Sequence, residues 1–159
     1  MNQIFEHLHV RPELAMEFMA VFSRVEYAIK STRYAVGNDS RVDAAWDRFA
    51  NDINDNFLNI QVPKLTQATN FLLSKPPRKQ VLDGNRIKFI DQTVDPNQSP
   101  TQQILRFVRT VRNNLFHGGK YLPFGENEQG RNQKLVESAL IVLQFCVEID
   151  PDVSTSYQI

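Results

Sequence analysis

Residues 99–119 read SPTQQILRFVRTVRNNLFHGG and predict one long helix around which the chain is organised. Ser99 precedes a proline at the first helical position, and Gln102 follows the serine by three residues. The Ser hydroxyl and the Gln side chain can therefore each satisfy a backbone N–H left free at the helix start. Apolar residues then recur at three- and four-residue steps, which gives one apolar face. Gly118-Gly119 supplies the left-handed residue that ends such a helix.

The end of this helix carries an Arg and a His separated by four residues, Arg112 and His117. Asn113 and His117 share a helix face because they are four residues apart, and Arg109 lies one turn before them. These residue types suit RNA cleavage without a metal. Histidine transfers protons near neutral pH, and arginine offers two N–H groups to phosphoryl oxygens. A structural alternative is that both side chains bind the last helix carbonyls and the helix dipole.

A single histidine at this position limits the chemistry that one chain can perform. The 2′-hydroxyl needs a base to accept its proton, and the leaving 5′-oxygen needs an acid. A two-fold dimer that joins two such helix ends would supply two His and two Arg around one phosphate. The enzyme interpretation therefore predicts a homodimer.

Length and composition fit a single domain over residues 1–159 with a formal net charge of zero. From Pro96 to Gly125 the charged residues are all basic, which makes a local cationic strip that anions would favour. Its members are Arg106, Arg109, Arg112 and Lys120. The alternative is a solvated helix face whose countercharges lie on other elements.

Targeting and redox features point to a cytoplasmic setting. Cys146 is the one cysteine, so a disulfide framework is not expected, and an apolar helix surrounds it as in a core. The start of the chain does not resemble a signal peptide, and no apolar run is long enough for a bilayer. We expect no metal or other cofactor, no membrane contact and no DNA partner.

The periodicity along the chain predicts an all-α bundle of four main helices and a shorter one, with a small β-hairpin insert. The main helices are expected at 12–34, 42–60, 100–117 and 129–149, the shorter one at 64–74 and the hairpin at 79–90 around Asp83-Gly84. Ser40–Asp43 resembles a capping box that starts the second helix. Residues 1–11 are expected as an N-terminal arm, and residues 152–159 as a frayed polar tail.

Two acidic features of the helices have open interpretations. Glu26 lies four residues before Lys30, in the order that favours a surface ion pair. Alternatively, Glu26 faces the arginine of the key segment and orients it. The polar face of the second helix carries several aspartates, which we interpret as a solvated face rather than a metal site. They are Asp43, Asp47, Asp52 and Asp55.

Residues 112–117 resemble the signature of HEPN domains, which is an Arg, a polar residue, three further residues and a His. HEPN domains are helical bundles with this motif at the end of a late helix, so the expected architecture is similar. Residues 22–30, FSRVEYAIK, are similar to the first-helix pattern of several HEPN groups. The length and the hairpin insert look most like small stand-alone bacterial HEPN proteins.

This resemblance implies a metal-independent endoribonuclease that acts as a homodimer, often as a toxin or in phage defence. Carried over by position, Arg112 and His117 would be catalytic, and Asn113 would orient them. We assign RNA binding to Arg109, Asn114, Lys120 and Tyr121, and a supporting role to Glu26. An antitoxin or regulatory protein is a further expected partner.

One position departs from a subgroup of the family. HEPN toxins that pair with nucleotidyltransferase antitoxins carry a Tyr two residues after the His, and that Tyr is the modified group. Here Gly119 occupies the position, and Tyr121 lies four residues after His117. Some HEPN domains are binding or dimerisation modules. The alternative function is therefore a non-catalytic HEPN-like module that binds a nucleotide, RNA or a partner protein.

Overall fold

The computed structural model describes residues 8–117 and 130–159 of the chain. Over these ranges the protein is mainly helical, with six helices and two small antiparallel hairpins. The elements in order are α1 (Pro12–Lys30), β1 (Ala35–Asn38), β2 (Arg41–Ala44), α2 (Trp46–Leu58), α3 (Pro63–Ser74), β3 (Lys79–Asp83), β4 (Arg86–Ile90), α4 (Pro100–Phe116), α5 (Arg131–Cys146) and α6 (Pro151–Gln158). The prediction of a mainly helical chain is confirmed.

Helix α4 packs against α1, α2, α3 and α5. It begins as predicted, because the Ser99 hydroxyl accepts a hydrogen bond from the Gln102 backbone N–H at 3.2 Å. The same hydroxyl donates to Asn51 on α2 at 2.7 Å. Ile104, Val108 and Val111 are all buried in the core. The apolar face predicted for this helix is therefore part of the core.

The hairpin insert forms where the alternating pattern predicted it. Strands β3 and β4 pair antiparallel, with Asp83 opposite Arg86. The two-residue connection is Gly84-Asn85, one residue later than expected, and Gly84 has a φ of 63°. Glycine adopts this left-handed conformation without the steric cost that a Cβ imposes.

A second hairpin replaces the predicted start of the second helix. Strands β1 and β2 pair with Asn38 opposite Arg41, and α2 begins only at Trp46. Ser40 does not cap a helix; its N–H and hydroxyl donate to the Asn38 side-chain oxygen at 2.9 and 2.7 Å. Gly37 allows the tight pairing, because a Cβ there would lie 2.1 Å from the Arg41 carbonyl oxygen. The capping-box prediction was wrong, and Asp43 lies on β2 instead of on a helix.

The C-terminal residues form a helix and not the frayed tail that their polarity suggested. Asp150 caps α6 by accepting the backbone N–H groups of Asp152 and Val153. Val153 is fully buried, and Arg24 of α1 donates to the Tyr157 carbonyl at 3.0 Å. Pro151 thus begins a helix as well as following one.

The predicted N-terminal arm and several helix ends also need adjustment. Leu8 and Val10 are buried in the core, so the described part of the arm is packed. Helix α1 ends at Lys30 and α5 spans Arg131–Cys146, each a few residues shorter than expected. Among the described helices, none has both the length and the apolar character that crossing a membrane requires.

Candidate functional site

A cavity of about 350 Å³ lies between α1, β2, α2 and the C-terminal half of α4. Its lining combines cationic, acidic and aromatic side chains. The lining residues are Phe22, Glu26, Asp43, Ala44, Trp46, Arg106, Arg109, Thr110, Arg112 and Asn113. The α4 members recur at spacings of three and four residues, which places them along one side of the helix.

Arg112 is held by aromatic rings and by its neighbour in the chain. Its guanidinium carbon lies 5.3 Å from the centre of the Phe22 ring and 5.5 Å from that of Phe116. One terminal nitrogen donates to the Asn113 side-chain oxygen at 2.8 Å. Both kinds of contact fix the plane of the guanidinium. Asn113 therefore contacts the guanidinium of Arg112 directly.

The charge of Arg112 is not matched by a carboxylate among the described residues. None of their ion pairs within 4.0 Å involves this side chain. Its Nε atom is buried without a hydrogen-bond partner. An unpaired guanidinium that lines a cavity is suited to an anionic ligand.

The other two arginines of the cavity are already engaged. Arg109 forms an ion pair with Asp47 at 3.1 Å, and Arg106 donates to the Thr93 carbonyl oxygen at 2.9 Å. Burial lowers the pKa of Arg109, while the Asp47 carboxylate acts in the opposite direction. For Arg109 the countercharge therefore does lie on another element, as the alternative interpretation of the cationic strip expected.

Glu26 lines the same cavity as Arg112, so it faces the key segment. Its carboxylate accepts a long hydrogen bond of 3.5 Å from the Trp46 indole N–H. No ion pair within 4.0 Å joins Glu26 to Lys30, Arg109 or Arg112 in the described ranges. Asn113 and the two phenylalanine rings, not Glu26, make the close contacts that orient Arg112.

His117 caps the C-terminal end of α4 and is exposed. Its backbone N–H donates to the Asn113 carbonyl at 2.8 Å, and its imidazole meets the Phe116 ring edge-on at 5.2 Å. The side chain does not line the cavity that contains Arg112. One chain therefore places the Arg and the His at the same helix end, without enclosing both in one cavity.

Of the other three residues predicted to bind RNA, one is buried and two are outside the described part of the chain. Asn114 is buried, and its amide donates to the Arg78 carbonyl at 2.7 Å, which ties α4 to the segment before β3. Asn114 lies around the helix from the cavity-lining Asn113, so it is buried away from the cavity. Lys120 and Tyr121 lie outside the described residues.

Sequence reasoning missed several members of the cavity. Asp43 and Trp46 reach it because the unpredicted β1–β2 hairpin packs on α1 and ends at the cavity, and local periodicity carries no signal for that placement. The contact of the Phe22 ring with Arg112 was also not foreseen, although residues 22–30 were singled out for their resemblance to a first-helix pattern. Cys146 is a core thiol as predicted, and burial raises its pKa to about 12.

The described residues contain no cluster of three or more His, Cys, Asp or Glu side chains placed to hold a metal ion. Comparison of the chain with models of protein families, with curated proteins and with solved structures finds no match.

Proposed function

We propose that this protein is a metal-independent endoribonuclease of HEPN type, acting at a composite site in a homodimer. The observation that carries the proposal is the arginine at the end of α4. Arg112 is oriented by Asn113 and two rings, has no described carboxylate partner, and lies five residues before an exposed His117. Two copies of this pair, one from each protomer, would supply the base, the acid and the cation that cleavage by the 2′-hydroxyl needs.

The reaction follows from the chemistry of the two side chains. One His117 accepts the proton of the 2′-hydroxyl as its oxygen attacks the adjacent phosphorus. The bond from phosphorus to the 5′-oxygen breaks, and the second His117 donates a proton to that oxygen. The products are a 2′,3′-cyclic phosphate and a 5′-hydroxyl. Arg112 stabilises the extra negative charge on the phosphoryl oxygens between these steps.

A dimer resolves the separation between His117 and the cavity. Two helix ends related by a two-fold axis would place both histidines and both arginines around one phosphate. Phe116, which is 64 % exposed at this end of the molecule, adds apolar surface that dimer formation could bury. A toxin or phage-defence effector, controlled by an antitoxin or regulatory protein, is the biological role that the HEPN resemblance suggests.

A second candidate is a non-catalytic HEPN-like module that binds a nucleotide, RNA or a partner protein. The observation that favours it is the charge balance of the cavity. Asp47 neutralises Arg109, and Glu26 and Asp43 line the cavity beside the arginines. Binding without cleavage, weakened steeply by salt if the ligand is a polyanion, would favour this module.

Replacing the histidine separates the two candidates. His117→Ala should abolish RNA cleavage while the fold and the dimer survive, because the exposed imidazole is not part of the core. His9→Asn is the matched control, since it removes another imidazole, and asparagine tolerates its φ of 55°. This control should cleave as well as wild type. Full activity of His117→Ala would show that the site is assigned wrongly.

A further inference from the structure

Glu26 is the cavity carboxylate whose oxygens are least engaged. Its one described hydrogen bond, from the Trp46 indole, is 3.5 Å long. Asp43, the other acidic residue in the lining, is instead ion-paired with Arg41 at 2.7 Å. An ionised carboxylate has about four acceptor positions. Glu26 therefore has acceptor capacity left for donors on a ligand in the cavity.

The cavity as a whole fits a small ligand that carries both an anionic group and N–H donors. Arg112 offers an unpaired cation to an anionic group, and Glu26 offers acceptors to N–H groups. The volume of about 350 Å³ is at the small end of ligand pockets and suits a single nucleotide unit, not a duplex. A nucleotide of single-stranded RNA carries both a phosphate and a base with N–H donors.

The donors and acceptors on the four RNA bases indicate which base a carboxylate binds best. The Watson–Crick edge of guanine presents two adjacent donors, N1–H and the 2-amino group, which match the two oxygens of one carboxylate. Adenine and cytosine present an amino group beside an acceptor nitrogen, and uracil presents one N–H between two carbonyls. Those acceptors would face the carboxylate unfavourably.

We propose that the cavity binds a guanine base of single-stranded RNA, with Glu26 accepting hydrogen bonds from its Watson–Crick edge. This inference rests on the proposed ribonuclease function and names its substrate preference. Glu26 is then a specificity residue, and Arg112 contacts the neighbouring phosphate. The Trp46 indole N–H lies 3.5 Å from one carboxylate oxygen, so the other oxygen has no described hydrogen-bond donor.

Nucleotide binding to the full chain tests the base readout directly. Isothermal titration calorimetry would compare guanosine, inosine and adenosine 5′-monophosphates. Inosine lacks only the 2-amino group, so wild type should bind the guanosine nucleotide about ten-fold or more tightly than the inosine nucleotide. Equal affinities, or no binding of any of the three, would overturn the inference.

Two variants distinguish readout by Glu26 from its contact with Trp46. Glu26→Gln keeps an oxygen for the indole N–H but turns an amino group toward the guanine donors, so the preference for guanosine over inosine should disappear. Asp43→Asn removes the same charge from the same cavity and should keep that preference. If Glu26→Gln retains the preference, Glu26 serves only to position Trp46.

Cleavage of oligonucleotides with one guanosine among adenosines and uridines separates this inference from the function on which it rests. Cutting beside the guanosine, lost in Glu26→Gln, supports both. Cutting without a guanosine preference leaves the ribonuclease proposal standing and overturns the inference. Guanosine-selective binding without any cutting overturns the ribonuclease proposal and supports the base site.

Discussion

Replacing Arg112 by alanine distinguishes a functional arginine from a structural one. The substitution removes two contacts with aromatic rings, each worth about 0.5–1 kcal/mol, and one hydrogen bond to Asn113 worth about 1 kcal/mol. It also removes a buried Nε atom without a partner, whose burial costs about 1–3 kcal/mol. The opposing effects leave a net destabilisation of about 1 kcal/mol, which lowers Tm by about 2–4 °C.

The expected effect on activity is much larger. Loss of the cation that stabilises the developing phosphoryl charge should lower kcat/KM by about 10²- to 10³-fold. Arg112→Lys keeps the charge but not the paired N–H groups, so its activity should fall between that of the wild-type protein and that of Arg112→Ala. Circular dichroism melts and cleavage of a fluorescent single-stranded RNA measure both quantities on the same preparations.

Arg109→Ala is the matched control for this experiment. Arg109 lines the same cavity one turn earlier, and its partly exposed ion pair with Asp47 is worth no more than about 1 kcal/mol. It should show a similar loss of Tm and a smaller loss of activity. The reasoning fails if Arg112→Ala loses more than about 4 kcal/mol of stability, or if its folded fraction cleaves as well as wild type.

Three further perturbations test the fold, and a fourth tests the dimer. Gly37→Ala should cost more than about 1 kcal/mol in urea unfolding, because its Cβ would meet the Arg41 carbonyl oxygen at 2.1 Å. Asn114→Ala should cost about 0.5–1.5 kcal/mol by removing the hydrogen bond from its buried side chain to the Arg78 carbonyl, with RNA affinity unchanged. Burial alone would raise the pKa of Asp150, but hydrogen bonds from backbone N–H groups and Arg33 outweigh it and lower that pKa. The contribution of ionised Asp150 to the free energy of unfolding is therefore complete above the ordinary carboxylate pKa and is lost as pH falls through the lowered value. Asp150→Asn should flatten this part of the curve of stability against pH. Dilution below the dissociation constant of the dimer should lower the specific activity, as followed by analytical ultracentrifugation and cleavage rates.

Each of these predictions has a control or a contrary result. Gly84→Ala shares the positive φ but has open space around its Cβ, so it should cost less than Gly37→Ala. Asp152→Asn is the control for Asp150→Asn. It removes a mostly exposed partner of the same Arg33 and should leave the loss of stability at acidic pH unchanged. Weaker RNA binding by Asn114→Ala at unchanged stability would return that residue to the RNA site. Undiminished specific activity of a monomer would rule out the composite mechanism.

Much of the fold followed from local signals in the sequence. The Ser99 cap, the proline at position 100 and the apolar spacing located α4, and alternation around Gly84 located the β3–β4 hairpin. These signals act over neighbouring residues, so the sequence contains them directly. The β1–β2 hairpin was missed because residues 42–60 keep a helical spacing, while the close approach at Gly37 depends on a strand partner.

The candidate site was predicted along its own helix and, as one of two open interpretations, at Glu26 on α1. The spacing on α4 grouped Arg109 and Asn113 with His117, but the cavity is lined by Arg109, Asn113 and Arg112 and not by His117. Asn114 was misplaced because one residue around a helix changes a cavity position into a buried one. Asp43 and Trp46 could not be foreseen, since β2 and α2 reach α4 only through tertiary packing. Helix α6 was missed because its short polar sequence is stabilised by distant partners, notably Arg24 and Arg33.

Product analysis of RNA incubated with the purified protein in EDTA tests the central claim most directly. The wild-type protein should cleave a mixed single-stranded RNA and leave 2′,3′-cyclic phosphate ends, whereas His117→Ala, folded and dimeric, should leave the RNA intact. Intact RNA with the folded wild-type dimer, or products with other ends, would contradict the proposed mechanism.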